Sequence, residues 1–102
     1  MKEYIDKHIN MDFDMDTFAL AMNKSKSQIT RLFKAAYGET PYKYLLNLRI
    51  QHAKTELSGT SNPIKVIAND LCFYDEYYFS SYFKTATGYS PSMYRKLFTR
   101  VE

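Results

Sequence analysis

The chain has 102 residues, 45% of them hydrophobic and 25% charged, with 14 Lys and Arg against 11 Asp and Glu, three Gly, three Pro and one Cys. This size fits one compact domain and predicts a single core rather than two independent ones. A lone Cys forbids an internal disulfide framework and a Cys-based zinc site, and points to a reducing compartment. The longest apolar run, Phe18 to Met22, is far short of the roughly 20 residues of a membrane span, and the acidic start (Glu3, Asp6) is unlike a signal peptide. A cytoplasmic protein without a membrane partner is expected.

Along the chain the charge is segregated. Residues 1–16 carry Glu3, Asp6, Asp12, Asp14 and Asp16 against Lys2 and Lys7. Residues 24–38 carry Lys24, Lys26, Arg31 and Lys34 with no acid, and residues 91–100 carry Arg95, Lys96 and Arg100 with no acid. Within the first basic span, Ser25-Lys26-Ser27-Gln28 is a capping box, with Gln28 spaced to reach back to the Ser25 N–H, and predicts a helix start. Gly38 suits a left-handed helix end. Thr40-Pro41 then opens a helix over 41–58, a cap acceptor followed by a ring with helix-ready φ at the first helical position. Gly59 is expected to end it at positive φ. Asn62-Pro63 and Ser90-Pro91 repeat the cap-and-proline start, and Gly88 repeats the end. Apolar residues recur at helical spacing throughout and no stretch alternates with period two, so the fold class is all-α with about seven helices.

The chain also repeats itself. Phe33-Lys34-Ala35-Ala36-Tyr37-Gly38-Glu39-Thr40-Pro41 aligns with Phe83-Lys84-Thr85-Ala86-Thr87-Gly88-Tyr89-Ser90-Pro91 at one fixed offset, and Phe18-Ala19 aligns with Ile67-Ala68 at an offset one residue shorter. Each copy reads as a short helix with a small residue (Ala19, Ala68), a tight turn (22–24, 71–74) and a longer helix, the layout of a helix-turn-helix. The predicted organisation is a first unit over 1–40, a linker helix over 41–58 and a second unit over 62–102. A linker of about 27 Å suits two second helices entering major grooves about 34 Å apart on one duplex.

These residues resemble the AraC/XylS family of transcriptional regulators. The resemblance rests on Ser25, Arg31-Leu32-Phe33-Lys34, Gly38, Pro41, Tyr44-Leu45, Arg49-Ile50, Ala53 and Leu57, then Ile67-Ala68, Phe73, Tyr78-Phe79-Ser80, Phe83-Lys84, Gly88-Tyr89-Ser90-Pro91 and Tyr94-Arg95. It implies a domain of two helix-turn-helix units that binds double-stranded DNA. It further implies RNA polymerase as a second candidate partner, and a sensing, receiver or dimerisation domain outside this chain. No cofactor is expected.

On the helix from Lys26, Ile29, Leu32, Phe33 and Ala36 are the expected buried face, with Ser27, Arg31 and Lys34 roughly opposite and Thr30 at the flank. The resemblance assigns base contacts to Ser27, Thr30 and Arg31, and the Arg31 fork fits O6 and N7 of guanine. The bland reading of Arg31 is a solvated charge. In the second copy Phe79, Tyr82, Phe83 and Ala86 are the expected buried face. Tyr77, Ser80 and Ser81 are the corresponding base-contact candidates, with Lys84 on the same face. Many family members have Arg where Ser81 stands, and Asp75 and Glu76 add negative charge there, so asymmetric readout led by the first unit is expected. Tyr77 reads either as a contact to a thymine methyl or sugar, or as a merely exposed ring. Phosphate candidates are Lys26, Lys34, Lys84 and Lys96, with Lys43 as a further one; each also reads as a solvated charge. Arg49 and Arg95 read as structural hydrogen-bond donors or as phosphate ligands. Phe33, Phe79, Phe83, Tyr44 and Tyr94 read as packing.

The family commonly has Gly at the positions of Asn23 and Cys72. If those turns need φ > 0, Asn is tolerated and Cys carries a steric cost of about 1–2 kcal/mol. Cys72 reads as a structural thiol, since no basic neighbour or resolving Cys accompanies it. Catalysis finds no convergent acid, base, nucleophile or metal set, because His8 and His52 are far apart in the chain and the carboxylates sit mostly at helix starts, where they cap and complement the dipole. The alternative function is a helical protein-interaction module that has lost DNA binding. The acid-free span 24–38 argues against it.

Overall fold

The computed structural model describes residues 1–99, and Arg100 of the second basic span lies outside them. Seven helices and no strand are found among the described residues: α1 Lys2–Asp6, α2 Met15–Ala21, α3 Lys26–Tyr37, α4 Pro41–Gly59, α5 Ile64–Asp70, α6 Glu76–Thr87 and α7 Pro91–Phe98. The chain divides into two compact units, Met1–Leu48 and a second starting at Arg49. Here the single expected core is corrected. The internal repeat gives each unit its own pair of buried phenylalanines or their equivalents, and each buries its own apolar set.

In the first unit Ile5, Phe18, Ala19, Ile29, Phe33 and Leu45 are buried together. Asp14 starts α2 by accepting the Thr17 backbone N–H at 3.1 Å and the Thr17 hydroxyl at 2.7 Å. Those two bonds, the hydroxyl's first, hold its carboxyl below the usual range. The capping box of α3 is formed as its spacing predicts: Gln28 N–H donates to Ser25 Oγ at 3.1 Å and Ser25 N–H to Gln28 Oε1 at 3.0 Å. Between α2 and α3, Lys24 N–H returns to the Ala19 carbonyl at 3.0 Å, which forces Asn23 to a φ of 57°. The five-residue α1 closes this unit. Tyr4 stacks on His8 and packs against Phe18, and Lys2 Nζ lies 4.3 Å from the centre of the Tyr37 ring. Tyr44 donates its hydroxyl to Asp6 at 2.8 Å, and burial followed by that bond pushes the phenol up to about 12.

The second unit repeats this turn. Phe73 N–H returns to the Ala68 carbonyl at 3.1 Å and Cys72 adopts a φ of 60°. Asp75 caps α6, accepting the Tyr78 N–H at 2.7 Å. Gly38 and Gly88 end α3 and α6 at φ 80° and 87°, as expected.

Two expected helix ends are corrected. Gly59 is the last residue of α4 and does not take positive φ; Thr60 closes the helix instead, its N–H and hydroxyl both donating to the Glu56 carbonyl at 3.0 and 2.7 Å. Pro63, expected at the first helical position with Asn62 as the cap, is itself the cap of α5 with an extended ψ of 146°, and no side chain caps that helix. Asn62 is committed elsewhere: its side-chain amide donates to Glu56 and its carbonyl accepts Arg95.

The buried stripes are narrower than expected. Ile29 and Phe33 are fully buried on α3, and Phe79 and Phe83 on α6. Leu32 is 42% exposed, Ala36 and Ala86 are exposed, and Tyr82 is half-buried. A helix packed on one side by so few neighbours hides only the two residues one turn apart that point straight inward.

Candidate nucleic-acid interface

The second helix of each turn presents its polar face outward for a local reason. Ser25 and Asp75 cap α3 and α6, and the buried pairs Ile29/Phe33 and Phe79/Phe83 fix the rotation of each helix about its axis. At 100° per residue, Arg31 and Ser81 then lie diametrically opposite the centre of the buried pair, with Ser27/Lys34 and Tyr77/Lys84 beside them. Thr30 and Ser80 fall at the flank. The structure agrees: Ser27, Arg31, Lys34, Tyr77, Ser81 and Lys84 are exposed, and Thr30 and Ser80 are half-buried. Ser27 and Arg31 therefore share the outward face of α3 with Thr30 at its edge, and Tyr77 and Ser81 share that of α6 with Ser80 at its edge.

The lysines differ in their engagement. Lys26 pairs with Asp16 of α2 at 3.0 Å, with both side chains well exposed. Such a pair contributes little stability and yields readily to a stronger anion. Arg31, Lys34, Lys84 and Lys96 make no ion pair among the described residues. Lys96 is exposed in the last turn of α7, where its charge complements the helix carbonyl end.

The two family arginines are structural. Arg49 is 3% exposed. Arg95 donates Nε–H to the Leu57 carbonyl at 3.0 Å and a terminal N–H to the Asn62 carbonyl at 2.6 Å. One guanidinium thus ties α7 to the open carbonyl end of α4 and to the loop after it.

Sequence reasoning did not single out Tyr74. It stands in the turn before α6, is 90% exposed, and borders a groove of about 430 Å³ with Asp75, Tyr77, Tyr78 and Ser81. Its signal was the density of Tyr between positions 74 and 82, which periodicity alone divides poorly between core and surface. Asp75 has a capping role there, so its charge is held at the amino end of α6 by the fold itself.

Two short-helix, tight-turn, long-helix units define a helix-turn-helix protein. Residues 18–97 match the family model described as a helix-turn-helix domain. The chain is 33% identical to the regulatory protein SoxS of Salmonella typhimurium, over 91% of this chain and 87% of that protein. It is 35% identical to the arabinose operon regulatory protein of Escherichia coli, over 91% of this chain and 32% of that one. Among solved structures, the C-terminal domain of AraT, a response regulator from Geobacillus stearothermophilus, superposes with a TM-score of 0.91 at 32% identity, over 98% of this chain and 84% of that one. The chain belongs to the AraC/XylS family of helix-turn-helix transcriptional regulators. It spans about a third of the length of the first curated relatives it matches. No helix among the described residues is long and apolar enough to cross a membrane.

Proposed function

We propose that this chain is a sequence-specific double-stranded DNA-binding module for transcription regulation, with α3 and α6 as recognition helices that enter adjacent major grooves. The first unit, over 1–40, leads base readout through Ser27, Thr30 and Arg31. The second, over 62–102, follows through Tyr77, Ser80 and Ser81, and the helix over 41–58 spaces the two. Lys26, Lys34, Lys84 and Lys96 hold phosphate, aided by the acid-free amino end of α3. The observation that carries this reading is the position of Arg31. It is exposed at the centre of the outward face of a capped helix, inside a span without acids, where its planar fork is open to a guanine edge. A sensing, receiver or dimerisation domain outside this chain, and contact with RNA polymerase in the cytoplasm, belong to the same proposal.

Selection of bound sequences from a random duplex pool tests this. A motif across two adjacent helical turns, with affinity that falls steeply as salt rises, is the expected result. If scrambled duplex binds as well as anything selected, or nothing binds, the reading fails and a protein-interaction module takes its place.

A further inference from the structure

The outward faces of α3 and α6 are related residue by residue through the repeat, yet their chemistry differs. Ser27 and Arg31 on α3 correspond to Tyr77 and Ser81 on α6. The exchange leaves a short side chain at the centre of the α6 face and a ring one turn before it. Around them the structure forms a groove of about 430 Å³ lined by Tyr74, Asp75, Tyr77, Tyr78 and Ser81. Tyr74 and Tyr77 are 90% and 83% exposed and border the same groove, so their rings form one shared surface and are not scattered singly. The only charge on the lining, Asp75, is occupied by the Tyr78 N–H at 2.7 Å.

We infer that this groove is a thymine reader: the C5-methyl groups of one or two thymines in the half-site facing α6 pack between the rings of Tyr74 and Tyr77, above Ser81. This deepens the DNA-binding reading and rests on it. The major-groove edge of thymine is the one base edge that offers an apolar group. The lining matches that edge and mismatches the others. Guanine offers two acceptors that call for a fork of donors, and Ser81 supplies a single hydroxyl where Arg31 supplies the fork on α3. Phosphate is disfavoured as the occupant because Asp75 and Glu76 place negative charge at this end of the helix. The second unit thus specifies sequence through apolar contact where the first does so through hydrogen bonds.

The test uses the 102-residue chain and the duplex selected above. Each thymine of the α6 half-site is replaced in turn by deoxyuridine, which removes only the methyl group. At one or two positions affinity should fall about fourfold, the worth of a buried methyl; thymines elsewhere should be indifferent. Tyr77→Ala should weaken binding to the thymine duplex and abolish the difference between thymine and deoxyuridine, while Tyr77→Phe preserves it, because the ring and not the hydroxyl makes the contact. Tyr77 is so exposed that neither variant should alter helical content, which circular dichroism checks. If a motif is selected yet deoxyuridine is neutral throughout the half-site, or Tyr77→Ala keeps the methyl sensitivity, this inference is overturned and the DNA-binding reading stands. If no motif is selected at all, both fall.

Discussion

Replacing Arg95 with Ala separates a structural arginine from a phosphate ligand. The guanidinium donates to two backbone carbonyls, Leu57 at 3.0 Å in a partly buried position and Asn62 at 2.6 Å nearer the surface. A hydrogen bond from a charged donor contributes about 1.5–3 kcal/mol where water is excluded, and an exposed one about 0.5–1 kcal/mol. Loss of both should cost about 2–4 kcal/mol. For a cooperative unit of this size that lowers the midpoint of thermal unfolding by about 8–32 °C. Arg95→Lys should recover less than half of the loss, since an ammonium lacks the planar fork that meets two separate carbonyls. The assay pairs thermal unfolding, followed by circular dichroism, with the salt dependence of DNA affinity in the cold, where the variant is still folded. The slope of log affinity against log salt should be unchanged. A slope smaller by about 1, the signature of one lost phosphate contact, combined with a midpoint moved by less than about 3 °C, would refute the structural assignment.

Three further outcomes are expected. Arg31→Ala should relax base preference over one half of the selected site by about 1–3 kcal/mol, read by competition with single-base variants, whereas Ser81→Ala should change it little; equal effects would contradict asymmetric readout. Cys72→Gly should raise stability by about 0.5–1 kcal/mol, because release of a left-handed residue at φ 60° returns about 1–2 kcal/mol and the freer unfolded chain takes part of it back; chemical denaturation that shows a loss would mean that the thiol's packing outweighs the strain. Tyr44 should ionise near pH 12 rather than at the usual 10. Its folded-state value lies above the unfolded one, so its stabilising contribution is complete below pH 10 and disappears as pH rises toward 12. Tyr44→Phe should flatten that alkaline decline, followed by tyrosinate absorbance and circular dichroism.

Much of the fold was legible in the sequence because the signals that start and stop helices act over three or four residues. Ser25 with Gln28 and Ser90 with Met93 are bonds whose partners stand beside each other in the chain, so the capping box and the Ser90-Pro91 start follow from spacing alone. The repeat placed the two turns, and the unusual Asn23 and Cys72 adopt the left-handed φ that the tight turns require. The same repeat put Arg31 and Ser81 at matching points of two helices, so the face on which each stands followed from periodicity once the buried phenylalanines were recognised.

What local pattern could not supply was decided by partners distant in sequence. The end of α4 looked like a glycine stop, but Thr60 closes it on the Glu56 carbonyl, Arg95, 38 residues beyond Leu57, meets the Leu57 carbonyl, and the Asn62 side chain goes to Glu56 and not to the cap of α5. Arg49 and Arg95 had two readings apiece until burial and two carbonyls chose between them. Leu32 and Ala36 have core spacing but stay exposed, since the width of a buried stripe depends on how many elements pack around a helix and not on its own sequence. The groove beside Tyr74 and Tyr77 exists for the same reason. Whether a ring lies in the core or on the surface is settled by what the rest of the chain leaves uncovered, and only the packed structure shows that.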